Sequence, residues 1–179
     1  MAERNAITQD FLKSILEYDP DTGTFTWKPR PVRPEFSRTD KVWNAAWSGK
    51  VAGTLCHGYV KLCIGYGKQY NAHRLAWLYM TGEWPEHDID HIDLDRSNNA
   101  FSNLREATRW QNLLNKRRRS DNKSGHKGVS QHTQSGMWRA RVSMNGKVVH
   151  CSLHKTKEAA AAAYEAAARE LHGEFARTD

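Results

Sequence analysis

The sequence predicts an α+β protein built from two modules. Over roughly the first two thirds of the 179 residues, short stretches with helical periodicity alternate with short stretches of strand character. Residues 124–179 instead predict three short strands followed by one alanine-rich helix. Residues 113–155 carry ten Lys or Arg and one acid, a net charge of +9, whereas the rest of the chain carries −2. Because 179 residues suit one medium domain or two small ones, these differences favour two.

The composition excludes several classes of protein. Apolar residues make up 39% of the chain and seven are Trp, which is too much packing material for a disordered chain. No run approaches the roughly 20 apolar residues that a membrane span needs, and the first residues have no apolar signal core. Cys56, Cys63 and Cys151 lack the paired spacing of a structural zinc site or a disulfide framework. We therefore expect a reduced, cytoplasmic protein with neither structural zinc nor a membrane partner.

The first predicted element is a helix over residues 8–18, with Thr8 as its N-cap. Its apolar stripe consists of Phe11, Leu12, Ile15 and Leu16. Residues 19–23 have turn chemistry and lead into a strand over 24–27. Residues 28–48 contain three prolines and no clear period, so they predict a loop.

A hairpin and a helix follow. Residues 50–55 and 59–64 predict the two strands of the hairpin, and residues 68–72 predict a third strand. Residues 73–81 then form an apolar helical pattern that ends at Gly82.

The composition next becomes acidic and polar. Residues 88–92 predict a short strand, 94–102 a polar loop and 103–107 a return strand. Thr108 then caps a helix that extends to about residue 117.

Residues 120–123 are polar and predict a linker between a first module, 1–119, and a second module, 124–179. The strands of the second module are predicted at residues 128–131, 138–144 and 147–152. Asn145-Gly146 favours a tight hairpin between the last two strands. Thr156 caps the final helix, 157–172.

An acidic cluster at residues 88–95 encloses His91 and suggests catalysis. Asn103 follows His91 by 12 residues and Asn112 lies nine further on, so strand, loop, strand and helix can bring the three together. This combination suits phosphodiester hydrolysis, because a neutral imidazole can accept a proton from water at cellular pH. The Asp90 carboxylate and the Asn112 amide oxygen suit Mg²⁺ or Mn²⁺. The alternative is a solvated acidic turn that happens to contain a histidine.

These residues belong to a longer pattern across about residues 8–117. The pattern consists of Gly53, Gly58-Tyr59, His73-Arg74-Leu75-Ala76-Trp77, Gly82-Glu83-Trp84-Pro85, Asp90-His91-Ile92-Asp93, Asn98-Asn99, Ser102-Asn103-Leu104-Arg105 and Asn112. It resembles the HNH endonuclease family, and within it the zinc-free branch common among phage and intron-encoded homing endonucleases. The resemblance implies a ββα-metal nuclease fold, with its core at about residues 86–117, that cleaves or nicks DNA.

The resemblance also implies roles for single residues. His91 would be the general base, Asp90 and Asn112 the metal ligands, and Asn103 a cross-brace of the loop that holds His91. Asn112 stands where the family usually has its final His, as in some homing endonucleases. The three neighbouring carboxylates either tune the metal electrostatically or belong to a solvated loop; they are Asp88, Asp93 and Asp95.

Further positions are predicted to contact DNA or to support the site. Arg74 would touch the scissile phosphate or pair with an aspartate, and Arg105 would contact a phosphate or form a salt bridge. A run of cations both suits the helix dipole and predicts a clamp on the DNA backbone; it consists of Lys116, Arg117, Arg118 and Arg119. His73 is expected to be structural. Asn98 and Asn99 are expected to form turns.

The second module resembles the Apetala-two/ethylene-response-factor DNA-binding domain. The residues that carry this resemblance are Ser124-Gly125-His126-Lys127-Gly128-Val129-Ser130, Gly136-Met137-Trp138-Arg139-Ala140-Arg141-Val142, Asn145-Gly146-Lys147, Thr156-Lys157-Glu158-Ala159-Ala160, Ala163-Tyr164, Ala167-Ala168 and Gly173-Glu174-Phe175-Ala176. The resemblance implies a three-stranded antiparallel sheet on one helix, with the sheet facing the major groove.

The predicted DNA contacts in this module are Ser130, His132, Trp138, Arg139, Arg141, Lys147 and His150. Arg139 and Arg141 share a strand face because side chains alternate with a period of two. Trp138 suits sheet packing equally well. Several of these residues depart from the plant pattern, so the plant target sequence cannot be carried over.

The sequence therefore predicts a metal-dependent DNA endonuclease whose second module binds duplex DNA. One active site in one chain favours a monomer on DNA, and a dimer stays open. The main rival is a non-catalytic, sequence-specific DNA-binding regulator on a degenerate nuclease scaffold. A second rival is RNA cleavage, which the groove-reading sheet disfavours because the major groove of A-form RNA is deep and narrow.

Overall fold

The computed structural model describes residues 7–64, 67–115, 121–144 and 146–178. The chain divides into two units, Met1–Glu106 and Ala107–Asp179. Helices and antiparallel sheets occur in both, so the predicted α+β class is confirmed. Among the described residues, no helix combines the length and apolar composition needed to cross a membrane.

The first unit is a mixed assembly of helices and three small antiparallel sheets, β1–β2, β3–β4–β5 and β6–β7. Its elements are, in chain order, α1 (Gln9–Ile15), β1 (Leu16–Asp19), β2 (Thr24–Trp27), α2 (Ser37–Trp47), β3 (Thr54–Cys56), β4 (Tyr59–Ile64), β5 (Lys68–Asn71), α3 (Ala72–Thr81), β6 (Asp88–His91) and β7 (Leu104–Ala107).

The predicted first helix was too long. The helix α1 ends at Ile15, and the chain continues directly into β1, which pairs with β2. Leu16 and Tyr18 are buried whereas Glu17 and Asp19 are exposed, which is the alternation of a strand. The apolar residues at 15, 16 and 18 fit the period of a helix and that of a strand. Pairing with β2 makes residues 16–19 a strand.

The predicted loop at residues 28–48 was wrong in its second half, which forms α2. Asp40, on the first turn of α2, is 1% exposed and accepts hydrogen bonds from the backbone and guanidinium of Arg33. The Arg30 guanidinium lies 3.7 Å from the centre of the Trp43 ring. These contacts of Arg30 and Arg33 attach α2 to the proline-rich segment. Neither contact produces a periodic pattern in the sequence, so the helix was not predicted.

One apolar core holds the first unit together. Its largest fully buried side chains are Leu12, Leu16, Leu62, Leu75 and Leu78. They come from α1, β1, β4 and α3, so these four elements share one packed interior. Gly82 ends α3 in the left-handed conformation, with φ of +87°.

The second unit is a three-stranded antiparallel sheet packed on one long helix, as predicted. Its elements are α4 (Arg109–Leu114), β8 (Val129–Gln131), β9 (Trp138–Met144), β10 (Lys147–His154) and α5 (Lys157–His172), with sheet order β10-β9-β8. Ala140 and Val142 of β9 are buried in one cluster with Ala160 and Ala168 of α5. The small alanine side chains let the helix lie close to the sheet. Asn145, in the predicted turn, lies outside the described residues.

Gly128 marks the tightest contact in this unit. Its φ is +69°, and a Cβ atom there would lie 2.0 Å from the ring of Tyr164 on α5. Gly136, at the β8–β9 turn, has φ of +68° but open space where its Cβ would be. The two glycines therefore differ in packing and not in backbone conformation.

Gly128→Ala should destabilise the protein more than Gly136→Ala. Both changes place a side chain in the left-handed region, at a cost of about 1–2 kcal/mol, and only the first forces the Tyr164 ring to move, which adds about 1–3 kcal/mol. Urea unfolding of the two variants measures the difference. Equal losses of unfolding free energy would contradict the tight contact.

Candidate active site

The strands β6 and β7 bring together the residues at the centre of the site. Asp90, on β6, is 4% exposed. Arg105, on β7, donates to Asp90 Oδ2 from Nε at 3.0 Å and from Nη2 at 2.9 Å. Only 13% of the Arg105 side chain is exposed. The salt bridge predicted for Arg105 is therefore present, and it keeps the carboxylate from being buried without a counter-charge. The phosphate contact stays a prediction.

His91 follows Asp90 and lies in a buried aromatic cluster. Its ring is 5.1 Å from that of His73 in an edge-on arrangement, and 6.2 Å from that of Tyr59. Burial lowers the pKa of His91 below its ordinary value, although Asp93 and Asp90 oppose that shift. The imidazole is therefore neutral at cellular pH and can accept a proton.

His73 packs edge-on against His91 in this cluster. Burial, followed by the charges of His91 and Arg74, lowers the pKa of His73 to about 3, so its ring stays neutral. Its Nδ1 atom is buried and finds no hydrogen-bond partner within the described part of the chain.

Asn103 closes the loop that follows His91. Its Oδ1 accepts from the backbone N–H of Asp93 at 3.1 Å, and its Nδ2 donates to Asp93 Oδ1 and to the carbonyl of Asn98, both at 2.9 Å. The carbonyl of Asn103 also accepts from the N–H of Ile92 at 3.0 Å. These hydrogen bonds connect Asn103 to both Asp93 and Asn98.

The acidic residues of the loop are held within it. Burial raises the pKa of Asp93, but hydrogen bonds from Asn98 and Asn103 outweigh this and keep the pKa below its usual value. Asp95 accepts from the hydroxyl and N–H of Ser97, which also lowers the pKa of its carboxyl. Within the described ranges, no group of three or more His, Cys, Asp or Glu could hold a metal ion.

Asn99 is a site residue that the sequence pattern did not reveal. It was predicted to form a turn, yet it is 2% exposed, and its Oδ1 lies 3.4 Å from Nε2 of His91. No periodicity separates a buried asparagine from a turn asparagine in a polar loop. Tyr59 belongs to the family pattern without a predicted role, although its ring contacts both histidines.

Arg74, on α3, binds the segment that precedes β6. Its guanidinium donates to the carbonyls of Pro85 and His87, at 3.3 Å each, and lies 5.9 Å from the centre of the Trp84 ring. The predicted pairing with an aspartate does not occur among the residues that the structure describes.

Asn112, the second predicted metal ligand, is half-buried on α4 in the second unit. The helix α4 begins with a capping box in which Thr108 and Gln111 exchange hydrogen bonds. The Asn112 N–H donates to the Thr108 carbonyl. The predicted clamp lies outside the described residues; it comprises Lys116, Arg117, Arg118 and Arg119.

The sheet of the second unit divides the predicted DNA contacts between its two faces. Ser130 is paired with Arg139 across the strands, and Arg141 follows on the same face, opposite the α5 side. Arg139 Nη2 donates to the Ser130 hydroxyl at 3.2 Å, whereas Arg141 is exposed. These three residues form what we call the outer face of the sheet.

The other four predicted contacts do not lie on the outer face. Trp138 packs against the core of the unit, as the alternative interpretation predicted. His150 is paired with buried Val142, so it lies on the α5 side and does not join the two arginines. Lys147 is exposed beside the β9–β10 turn. His132 is half-buried in the β8–β9 turn, where its Nδ1 contacts the Ser135 hydroxyl at 2.9 Å.

Comparison with known proteins identifies relatives. Residues 70–114 match the HNH endonuclease family model, a segment that includes Asp90, His91, Asn103 and Asn112. The chain is 38% identical over 106 residues to Protein 3.8 of Escherichia phage T7, which covers 59% of this chain and 87% of that protein.

Two further matches cover a smaller share of the matched protein. An uncharacterized HNH endonuclease, L560 of Acanthamoeba polyphaga mimivirus, is 42% identical over 106 residues, which covers 58% of this chain and 54% of that relative. A solved structure on DNA binding and cleavage by the HNH homing endonuclease I-HmuI is 21% identical with a TM-score of 0.39, and the match covers 56% of this chain and 51% of that chain. This chain thus spans about half the length of both proteins. The chain therefore contains an HNH endonuclease domain, which the match of residues 70–114 marks.

Proposed function

We propose that this protein is a divalent-metal-dependent endonuclease that hydrolyses the phosphodiester bonds of double-stranded DNA, by nicking one strand or cutting both. The observation that carries the proposal is the neutral, buried imidazole of His91 next to the Asp90 carboxylate. Both residues lie in the segment that matches the HNH family.

His91 acts as the general base in this proposal. Its imidazole takes a proton from a water molecule, the water oxygen forms a bond to phosphorus, and the bond from phosphorus to the leaving oxygen breaks with its electron pair. The lowered pKa keeps the base free of its proton before the step. The charges of Asp93 and Asp90 favour the imidazolium that forms, since both act to raise the pKa of His91.

Asp90 and Asn112 are the proposed metal ligands. The donor set fits a hard cation, because it consists of a carboxylate oxygen and an amide oxygen. The Nε and Nη2 hydrogen bonds from Arg105 to Asp90 both reach Oδ2. The role of Asn112 rests on the family pattern. When bound, Mg²⁺ or Mn²⁺ would offset negative charge on the phosphate and the leaving oxygen.

The second unit is proposed to bind duplex DNA through the outer face of its sheet. A β-sheet that enters the major groove can present alternate side chains to bases or phosphates, and the outer face carries Ser130, Arg139 and Arg141. Lys147 is exposed at the start of β10, and half-buried His132 lies in the β8–β9 turn. The cationic run at residues 116–119 and Arg74 remain proposed backbone contacts on the basis of sequence.

The second candidate function is a DNA-binding regulator without catalysis. The Asp90–Arg105 ion pair favours it, because a positive charge already neutralises the proposed metal ligand. The two functions differ in one property, metal-dependent cleavage, and His91 is needed only for the first.

His91→Ala should abolish cleavage and leave DNA binding intact. Loss of a general base typically lowers the rate by about 10²–10⁴-fold, and His91 is buried and makes no proposed phosphate contact. The initial rate on a labelled DNA duplex and the affinity for the same duplex are measured in parallel. His87→Ala is the matched control, because His87 is an exposed histidine on the same approach to β6. Near-wild-type turnover by His91→Ala would remove His91 from the mechanism.

Replacing Arg139 and Arg141 with Ala should weaken DNA binding and reduce its salt dependence. Removing one cation that neutralises a DNA phosphate lowers the slope of log affinity against log salt by about 0.9. The control is Arg169→Ala, which removes an exposed cation of α5 that is paired with Glu165. Binding of one duplex across a range of salt concentrations gives the slopes. An unchanged slope in the double variant, or an equal fall in the control, would contradict binding by the outer face.

A further inference from the structure

Asn99 is a buried polar side chain. It is 2% exposed, and the residue after it, Ala100, is also buried. A buried amide is retained only where its donors and acceptor are matched by partners, because an unmatched polar group bears the full cost of leaving water. The hydrogen-bond partners of Asn99 therefore indicate the role of its side chain.

The orientation of the Asn99 amide is set by its other hydrogen bond. Its Nδ2 donates to the carbonyl of Ser97 at 2.9 Å, which leaves Oδ1 towards Nε2 of His91 at 3.4 Å. An amide oxygen can only accept a hydrogen bond. The contact therefore requires the proton of the neutral imidazole to be on Nε2, so the lone pair that accepts a proton is on Nδ1.

The backbone of Asn99 is clamped by the β1–β2 hairpin. The Tyr18 hydroxyl, from β1, donates to the Asn99 carbonyl at 2.7 Å in a buried hydrogen bond. Gly23, at the end of the hairpin turn, packs so closely that a Cβ atom there would lie 2.1 Å from the carbonyl carbon of Asn99. The Phe101 N–H also donates to the Pro20 carbonyl at 2.8 Å.

We propose that Asn99 is a positioning residue that holds His91 in the tautomer protonated at Nε2, with Nδ1 as the proton acceptor, and that Tyr18 and Gly23 hold Asn99 in place. The proposal rests on the nuclease function proposed above. It assigns the β1–β2 hairpin, which is remote in sequence from the HNH segment, a role in orienting the base.

The tautomer can be read directly by nitrogen-15 NMR of the whole chain with labelled histidine. The His91 signals are assigned from their absence in His91→Ala, at about pH 8, where a histidine is neutral. Wild type should show a protonated Nε2 and an unprotonated Nδ1. A proton on Nδ1 in the wild type would overturn the proposal without any variant.

Asn99→Leu, which is close in size but has no acceptor, should give mixed tautomers and lower kcat by about 10–100-fold, as is typical for loss of an orienting partner, with KM for a DNA duplex unchanged. Asn99→Asp keeps an oxygen acceptor for Nε2 but loses the donor to the Ser97 carbonyl, so it should retain the tautomer with a smaller loss of kcat than Asn99→Leu. Tyr18→Phe should move kcat in the same direction by less. Ser102→Ala is the control, because Ser102 is exposed and lies in the same segment between β6 and β7.

The outcomes separate this proposal from the nuclease function. A wild-type protein that cleaves DNA, with Asn99→Leu unchanged in both tautomer and kcat, would overturn the positioning role alone. A wild type with the expected tautomer and no cleavage would overturn the nuclease function and leave the tautomer assignment standing. If Asn99→Leu does not fold, the wild-type tautomer and the kcat of Tyr18→Phe decide, and a proton on Nδ1 or an unchanged kcat contradicts the proposal.

Discussion

The buried ion pair between Asp90 and Arg105 is the interaction on which the site of the first unit depends. A carboxylate that is 4% exposed needs a partner, and the guanidinium from the neighbouring strand supplies it with two hydrogen bonds. Removing one partner of such a pair typically costs about 3–5 kcal/mol. The pair therefore ties β6 to β7. The chain that joins these strands, from Ile92 to Asn103, is closed by the Asn103 amide, and His91 stands at its start.

The first unit buries a neutral histidine, whereas the second unit exposes a charged arginine. Each arrangement suits the function proposed for its unit. In the first unit burial lowers the pKa of His91, which gives a base that is free of its proton. In the second unit Arg141 is exposed on the face opposite α5, where a cation can meet a phosphate without first losing its water. The packing of α5 through alanines leaves the outer face of the sheet uncovered by that helix.

Much of the fold could be predicted because its signals are local. Strand alternation indicated β9 and the apolar run indicated α3, and the spacing of Asp90, His91 and Asn103 on two short strands indicated a shared site. The errors arose where contacts between residues distant in sequence determine the local structure. Pairing with β2 converts Leu16–Asp19 into a strand, and the Asp40–Arg33 contact stabilises α2 beside three prolines. Asn99 was predicted to form a turn because its contacts with Tyr18 and Gly23 join residues that are distant in sequence. His150 lies on the same side as Val142 because β10 contains a bulge between Val148 and His150 that reverses the alternation, and no sequence pattern indicates the bulge.

The central claim is that this chain breaks phosphodiester bonds of DNA with the help of a divalent cation. Incubation of the wild-type protein with supercoiled plasmid and Mg²⁺, with and without a chelator, tests it most directly. The account predicts that plasmid is converted to relaxed circles if one strand is nicked, or to linear DNA if both are cut, and that the chelator stops the conversion. Plasmid that stays supercoiled with Mg²⁺ and with Mn²⁺, while the protein binds it, would contradict the account and favour the regulator.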